Sequence, residues 1–416
     1  MYEIQNVLRP YAWGSTTAIA GLLGRSASGG PEAELWVGAH PDSPSIAVTA
    51  GGSSQSLDTL IATDPEHHLG TASITEFGPR LPFLLKVLAA ESPLSLQVHP
   101  SLAQAKEGFA REEAAGVERS AAERNYKDDN HKPEMVLALT KFDALCGFRP
   151  VAATQALLSH VLRSFEHLRL EVPAVIRDVI ADLNRTPESE ALSAAFTRLI
   201  SGGPDVSRAA EQLAAALESG LSRKPYEKEL ATVASLNEHY PGDPGVLISL
   251  LLNRVSLSPG EAMYLAAGNV HAYLHGLGIE VMASSDNVLR GGLTPKYIDI
   301  PELLNTIKFD SVAVPMLAAE KSALGQELYC PPFREFQLQR VTLVPDAEPV
   351  PLAQSGAAVI LVVAGSVLLD SPKGDLHLSR GESAFLPAAE APVNVHPVSG
   401  ATEIARAFAV TTALKA

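Results

Sequence analysis

Short apolar runs punctuated by Gly and Pro occupy both ends of this chain, and between them lies one long stretch, residues 151–240, with helical spacing. Runs of that length bounded by turn residues form antiparallel strands, which must close into a small barrel or stack as a double sheet to bury their apolar sides. In the middle stretch, "PESEALSAAFTRLI" puts Leu192, Phe196, Leu199 and Ile200 on one helical face, and "DVSRAAEQLAAALESG" starts with a capping Asp and stops at Gly220. The expected architecture is therefore mainly β with an α-helical insert. At 416 residues the chain is too long for one ordinary core. Pro259-Gly260-Glu261-Ala262 before "MYLAAG" is echoed by Gly381-Glu382-Ser383-Ala384 before "FLPA", which suggests two related barrels.

Within this frame "LPFLLKVLAAESPLSLQV" reads as two strands joined by a turn at Glu91-Ser92-Pro93. Ser101 with Gln104 resembles a capping box opening a helix that runs to Arg124, and "NYKDDNHKP" is a polar loop before the strand "EMVLAL". Gln97 and His99 stand two apart, so a strand would project both to one face about 6.5–7 Å from each other. Glu134 enters an apolar run after Lys132-Pro133, and His271 sits in "GNVHAYLHG". Buried polar groups are costly unless they find partners. Two imidazoles, a carboxylate and an amide oxygen make an N/O set for a divalent cation, with Zn, Mn, Fe and Co all compatible. Satisfied core residues are the alternative reading. Arg290, Lys296, Lys132 and Lys86 lie near these positions in sequence, and Lys86 inside the apolar run "FLLKVL" is costly unless its amine emerges or pairs.

Acidic residues outnumber basic ones by 47 to 32, a formal charge of −15 that disfavours nucleic acid and anionic membrane surfaces. Two cysteines without CxxC spacing suggest neither a disulfide framework nor a thiolate metal site, as fits a reducing cytoplasm. Neither a signal-like start nor a run of about 20 apolar residues is evident.

Together "ELWVGAHPDSPS", "LPFLLKVLAAESPLSLQVHP", "NHKPEM", "PGEA", "HAYLHG" and "SDNVLRGGLTPK" resemble the type I phosphomannose isomerases, zinc enzymes of the cupin superfamily, in order from Pro10 to Asp299. The resemblance implies a metal-bearing cupin-like jelly-roll barrel over residues 1–150 and 241–330, a helical domain over 151–240, and a second barrel without metal over 331–416. His377 and His396 in that second barrel read as ordinary strand or turn residues. It implies one Zn2+ per chain held by Gln97, His99, Glu134 and His271, with Arg290 over the substrate. Lys132, Glu280, Asp286, Lys296, Tyr273, Trp13, Ser95, Lys86 and Glu34 would line the pocket, and His131 is a further candidate.

The reaction implied is the exchange of mannose 6-phosphate and fructose 6-phosphate through an enediol. Arg290, always protonated, suits the developing charge. Lys132 is the first choice of base, ahead of Glu280, Asp286 and His131, and Lys86 with the Ser95 hydroxyl is the expected phosphate contact. The expected state is a monomer acting on a hexose 6-phosphate. Two His and a carboxylate also describe a non-haem iron dioxygenase, and a sugar-phosphate-sensing cupin without catalysis is the third reading.

Overall fold

The computed structural model describes residues 1–48, 52 and 54–414. It is mainly β with helices, as expected, and one strand organises the half that carries the polar residues. His271–Ala283 pairs with Phe83–Ala90, Glu134–Ala138, Phe142–Phe148 and Gln97–Val98 within an eleven-stranded sheet. A single strand can serve so many neighbours because it bends at Gly276, where φ is +130° and an added Cβ would lie 2.6 Å from the Lys141 carbonyl oxygen.

Alternation along the strands decides which side chains meet. Leu96 and Val98 point into a core shared with the helices, as do Val270, Ala272 and Leu274, while Gln97, His99 and His271 take the opposite face. In Phe83–Ala90, Leu85, Val87 and Ala89 join one apolar cluster, and Leu88 and Ala90 join the inner one with Val136, Ala138, Phe142 and Tyr273. Lys86, Glu134 and Glu280 share that inner parity. The inner face is thus apolar at one end and ionic at the other.

The helical block comprises Val151–His167, Ala174–Asp182, Glu188–Ser201, Gly203–Glu218 and Glu227–His239. It packs beneath Leu96, Val98 and Leu289, so it supports the segments that present Gln97, His99 and Arg290 from behind. No helix among the described residues is long and apolar enough to cross a membrane.

The two runs around Glu91-Ser92 are strands, as expected, and each pairs with His271–Ala283 rather than with the other. Two local expectations change. The capping box at Ser101 and Gln104 is present, yet the helix it opens ends at Ala114 rather than near Arg124. Gly116 takes φ +68° and terminates it, with the Val117 amide donating back to the Glu112 carbonyl at 3.0 Å. Strand pairing also crosses position 331. Tyr2–Gln5 pairs with Ser383–Leu386 and with Ile46–Val48, placing N-terminal strands in a nine-stranded sheet with the C-terminal ones.

The sequence echo is a repeated structure. Gly260 (φ +90°) donates to the Ala138 carbonyl at 2.8 Å, and the Ser258 amide donates to Glu261 Oε2 at 2.7 Å. Gly381 (φ +89°) donates to the Val362 carbonyl at 2.8 Å, and the Ser379 amide donates to Glu382 Oε2 at 2.7 Å.

His131, expected at the substrate, meets the loop between strands Glu327–Tyr329 and Gln337–Leu343: its Nε2 lies 2.5 Å from Glu335 Oε1. Burial would raise the Glu335 carboxyl, but the His131 hydrogen bond and charge hold it below the usual carboxylate range. Its contribution is therefore present above the unfolded value, about 4.3, and lost as pH falls through the folded one. Glu335→Gln should lower unfolding free energy by about 1–3 kcal/mol at pH 7 in urea titrations, with the deficit shrinking as pH falls below 4.3.

Candidate active site

A cavity of about 510 Å³ opens where the ionic end of the inner face meets the loops. Trp13, Glu34, Lys86, Ser95, Gln97, Lys132, Asp286, Arg290 and Lys296 all line it. A larger cavity, about 910 Å³, lies on the helical block and contains none of these groups.

Beside Gln97 and Lys132 of the smaller cavity's wall, His99, Glu134 and His271 are buried, and one ligand atom from each lies within 4.8 Å of the other two. His99 Nε2 is 3.3 Å from Glu134 Oε1, and His271 Nε2 is 3.5 Å from Glu134 Oε2. The second nitrogen of each ring fixes its tautomer. His99 Nδ1 is 2.8 Å from the Asn287 carbonyl oxygen and His271 Nδ1 is 3.0 Å from that of Asn269. A carbonyl oxygen only accepts, so both Nδ1 atoms carry the proton and both Nε2 lone pairs face the carboxylate.

Lone pairs thus confront oxygens in a buried site, and His99 Nε2 has no hydrogen-bond partner. A second proton on the ring is disfavoured, because burial pushes His99 down to about 4 against the pull of Glu134. A divalent cation resolves the conflict. Two ligands about 2.0–2.1 Å from a tetrahedral centre stand about 3.3–3.4 Å apart, in keeping with the spacing found. Gln97 is the register neighbour of His271, and its Nε2 donates to Ser95 Oγ at 3.3 Å, which leaves the amide oxygen available as a further neutral ligand.

The cations around this centre differ in their engagement. Lys132 Nζ is 3.0 Å from Glu134 Oε1. Lys86 Nζ lies 3.1 Å from Glu280 Oε2, 3.6 Å from Glu34 Oε1 and 5.1 Å from the centroid of Trp36. Burial alone would lower the Lys86 pKa, but Glu280 and Glu34 outweigh it and hold the amine above its ordinary value. Glu280 is consequently engaged and lies behind the cavity wall. Tyr273 is also off the wall, packed edge-on to Phe142 with centroids 5.2 Å apart, although it was expected to touch substrate. Asp286 does face the cavity. Burial raises its carboxyl, opposed by His40, whose Nε2 is 3.5 Å from Asp286 Oδ1.

Sequence reasoning missed Arg9, Trp36, Lys127 and Asn287. Asn287 is fully buried and latches two loops, accepting from the Lys127 amide at 2.7 Å and donating to the carbonyls of Asp128 (2.7 Å) and Asn130 (2.8 Å). A polar residue inside "SDNVLRGG" was its only signal. The latch fixes the backbone carbonyl that orients His99, so Asn287→Ala, which removes the latch and keeps the carbonyl, should weaken metal affinity and kcat/KM by up to about 10–100-fold, checked by metal titration and steady-state rates.

The family description "Phosphomannose isomerase type I, catalytic domain" matches residues 1–151. A mannose-6-phosphate isomerase of Salmonella typhimurium is 43% identical over 411 residues, spanning 98% of this chain and 99% of that protein. The chain belongs to the mannose-6-phosphate isomerase family. Its Escherichia coli relative is 44% identical over 398 residues, covering 95% of this chain and 97% of that one. Among solved structures, a variant of phosphomannose isomerase from Salmonella typhimurium matches with TM-score 0.87 at 40% identity, covering 100% of both chains. A zinc-bound mannose 6-phosphate isomerase matches with TM-score 0.86 at 40% identity and 99% coverage of each.

Proposed function

We propose that this chain is a zinc-dependent isomerase that interconverts mannose 6-phosphate and fructose 6-phosphate, with the ion held by Gln97, His99, Glu134 and His271. The observation that carries the proposal is the facing of two fixed Nε2 lone pairs and a carboxylate beside a cavity walled by cations. Membership of a family whose named relatives are mannose-6-phosphate isomerases supports it. A zinc ion bound there supplies a Lewis acid for the sugar oxygens, or lowers the pKa of a bound water toward about 7.

The remaining chemistry falls to side chains on the wall. Aldose-ketose exchange removes the proton at C2 and returns one to C1, with negative charge developing on the oxygens between. Arg290 is fully charged at any working pH and half-buried, so it stabilises that charge without moving a proton. Lys132, first choice of base from sequence, is engaged by Glu134 at 3.0 Å, a pairing that suits it to the same task. Asp286 is the better base. Its carboxyl faces the cavity and is pushed up by burial toward a stronger proton acceptor.

The cations around the cavity favour an anionic sugar phosphate over an iron oxygenase substrate. The same reading has one metal-bearing barrel over 1–150 and 241–330, a helical unit over 151–240, and a related metal-free barrel over 331–416. The duplicated Gly-Glu turn supports it. It also has the enzyme working as a cytoplasmic monomer without nucleic-acid or membrane partners.

The test is incubation of the zinc-loaded protein with mannose 6-phosphate in deuterated water. Fructose 6-phosphate carrying deuterium is expected, and binding without conversion would leave the sensing alternative. Asp286→Asn should lower kcat by about 10²–10⁴-fold and suppress label uptake. Lys132→Met should slow turnover while retaining exchange at C2.

A further inference from the structure

The cations on the cavity wall fall into two groups. Lys86 and Lys132 are neutralised locally, the first by Glu280 and Glu34 and the second by Glu134. Lys127, Arg290 and Lys296 line the same cavity, and none of them is ion-paired with a carboxylate among the described residues. Arg9 is also unpaired but otherwise committed. Its Nε donates to the Tyr11 hydroxyl at 3.2 Å, its Nη1 donates to Ser43 Oγ at 2.5 Å, and its guanidinium lies 5.1 Å from the Trp36 centroid.

The three free cations repel one another. Lys296 has its pKa lowered by burial and by the positive charges of Arg290 and Lys127. The acidic groups on this part of the wall do not relieve them, since Arg119 holds Asp42 at 2.9 Å and Asp286 at 3.4 Å. Lys127 is kept in place through its backbone, whose amide donates to Asn287 Oδ1. A chain with a formal charge of −15 therefore keeps three uncompensated positive groups around one space. A phosphate group, carrying about −1.5 to −2 at pH 7, relieves that repulsion and takes both point-charge and forked donors.

We propose that Lys127 and Lys296 anchor the phosphate group of the sugar phosphate, with Arg290, the register neighbour of Gln97, joining this subsite to the metal ligands. Lys86 does not hold the phosphate, because a dianion drawn to its amine would face Glu280 and Glu34 across the same few ångströms. The assignment rests on the sugar-phosphate reading of the cavity and makes Lys127 a specificity residue.

The probe is glucitol 6-phosphate, a hexitol phosphate that cannot be isomerised, titrated into zinc-loaded protein by calorimetry beside glucitol itself. Lys127→Met and Lys296→Met should each weaken glucitol 6-phosphate binding at least tenfold, and Lys127→Arg should stay within threefold of the parent. With mannose 6-phosphate, Lys127→Met should raise KM by more than it lowers kcat. Lys296 is exposed, so its variant reports on the subsite even if Lys127→Met folds poorly. Parent-like affinity in both methionine variants overturns the assignment. If the parent binds the probe in a Lys127-dependent way but converts no mannose 6-phosphate, the isomerase reading fails while the subsite stands.

Discussion

Glu134→Ala is expected to lower kcat/KM for mannose 6-phosphate by at least about 1,000-fold and to leave the protein with well under one zinc per chain after dialysis. Glu134 is the one anionic member of the proposed ligand set, and its two oxygens face the two Nε2 atoms at 3.3 and 3.5 Å. Its removal also strips Lys132 of its carboxylate, so a positive charge would replace a negative one beside the ion. Metal analysis separates the two effects. A variant that retains stoichiometric zinc and parent-like turnover would place the catalytic ion elsewhere.

Lys86→Met should produce the largest loss of stability of any single change near the cavity, about 3–5 kcal/mol at pH 7–8, because it leaves Glu280 and Glu34 buried without a counter-charge. The sign with pH follows from the pair. In the parent, the raised Lys86 pKa contributes stability that is complete below the unfolded value, about 10.4, and fades as pH rises through the folded one. In the variant the surviving carboxyls, of which Glu280 is already raised by burial, gain protons more readily, so the deficit is smallest near pH 5 and grows toward pH 8. Urea unfolding at the two pH values measures this. The sequence alone made Lys86 a phosphate contact, a role in which its loss would cost substrate affinity more than stability. An unchanged unfolding midpoint with KM raised more than tenfold would restore that expectation.

What was legible in the chain was local. The two-residue spacing of Gln97 and His99 placed both on one face because alternation is built into a strand, and Leu96 and Val98 confirm it by packing into the helical core. The capping box at Ser101 was equally readable. Register was not. Lys86 meets Glu280 because Phe83–Ala90 pairs with His271–Ala283 in one alignment, and a slip of one residue would have turned the lysine to the opposite face. His131 illustrates the same limit, since its partner Glu335 lies 204 positions away and no neighbouring residue announces it. Lys127 was hidden in a loop that looked merely polar. The entry of Tyr2–Gln5 into the C-terminal sheet depends on strand edges that no short motif encodes.

Stepwise addition of zinc to demetallated protein, with the initial rate of fructose 6-phosphate formation read at each step, tests the central claim most directly. The rate should rise in proportion to bound metal and stop rising at one ion per chain, and His99→Ala should abolish the response. Conversion at the full rate without metal, or a plateau indifferent to His99, would contradict it.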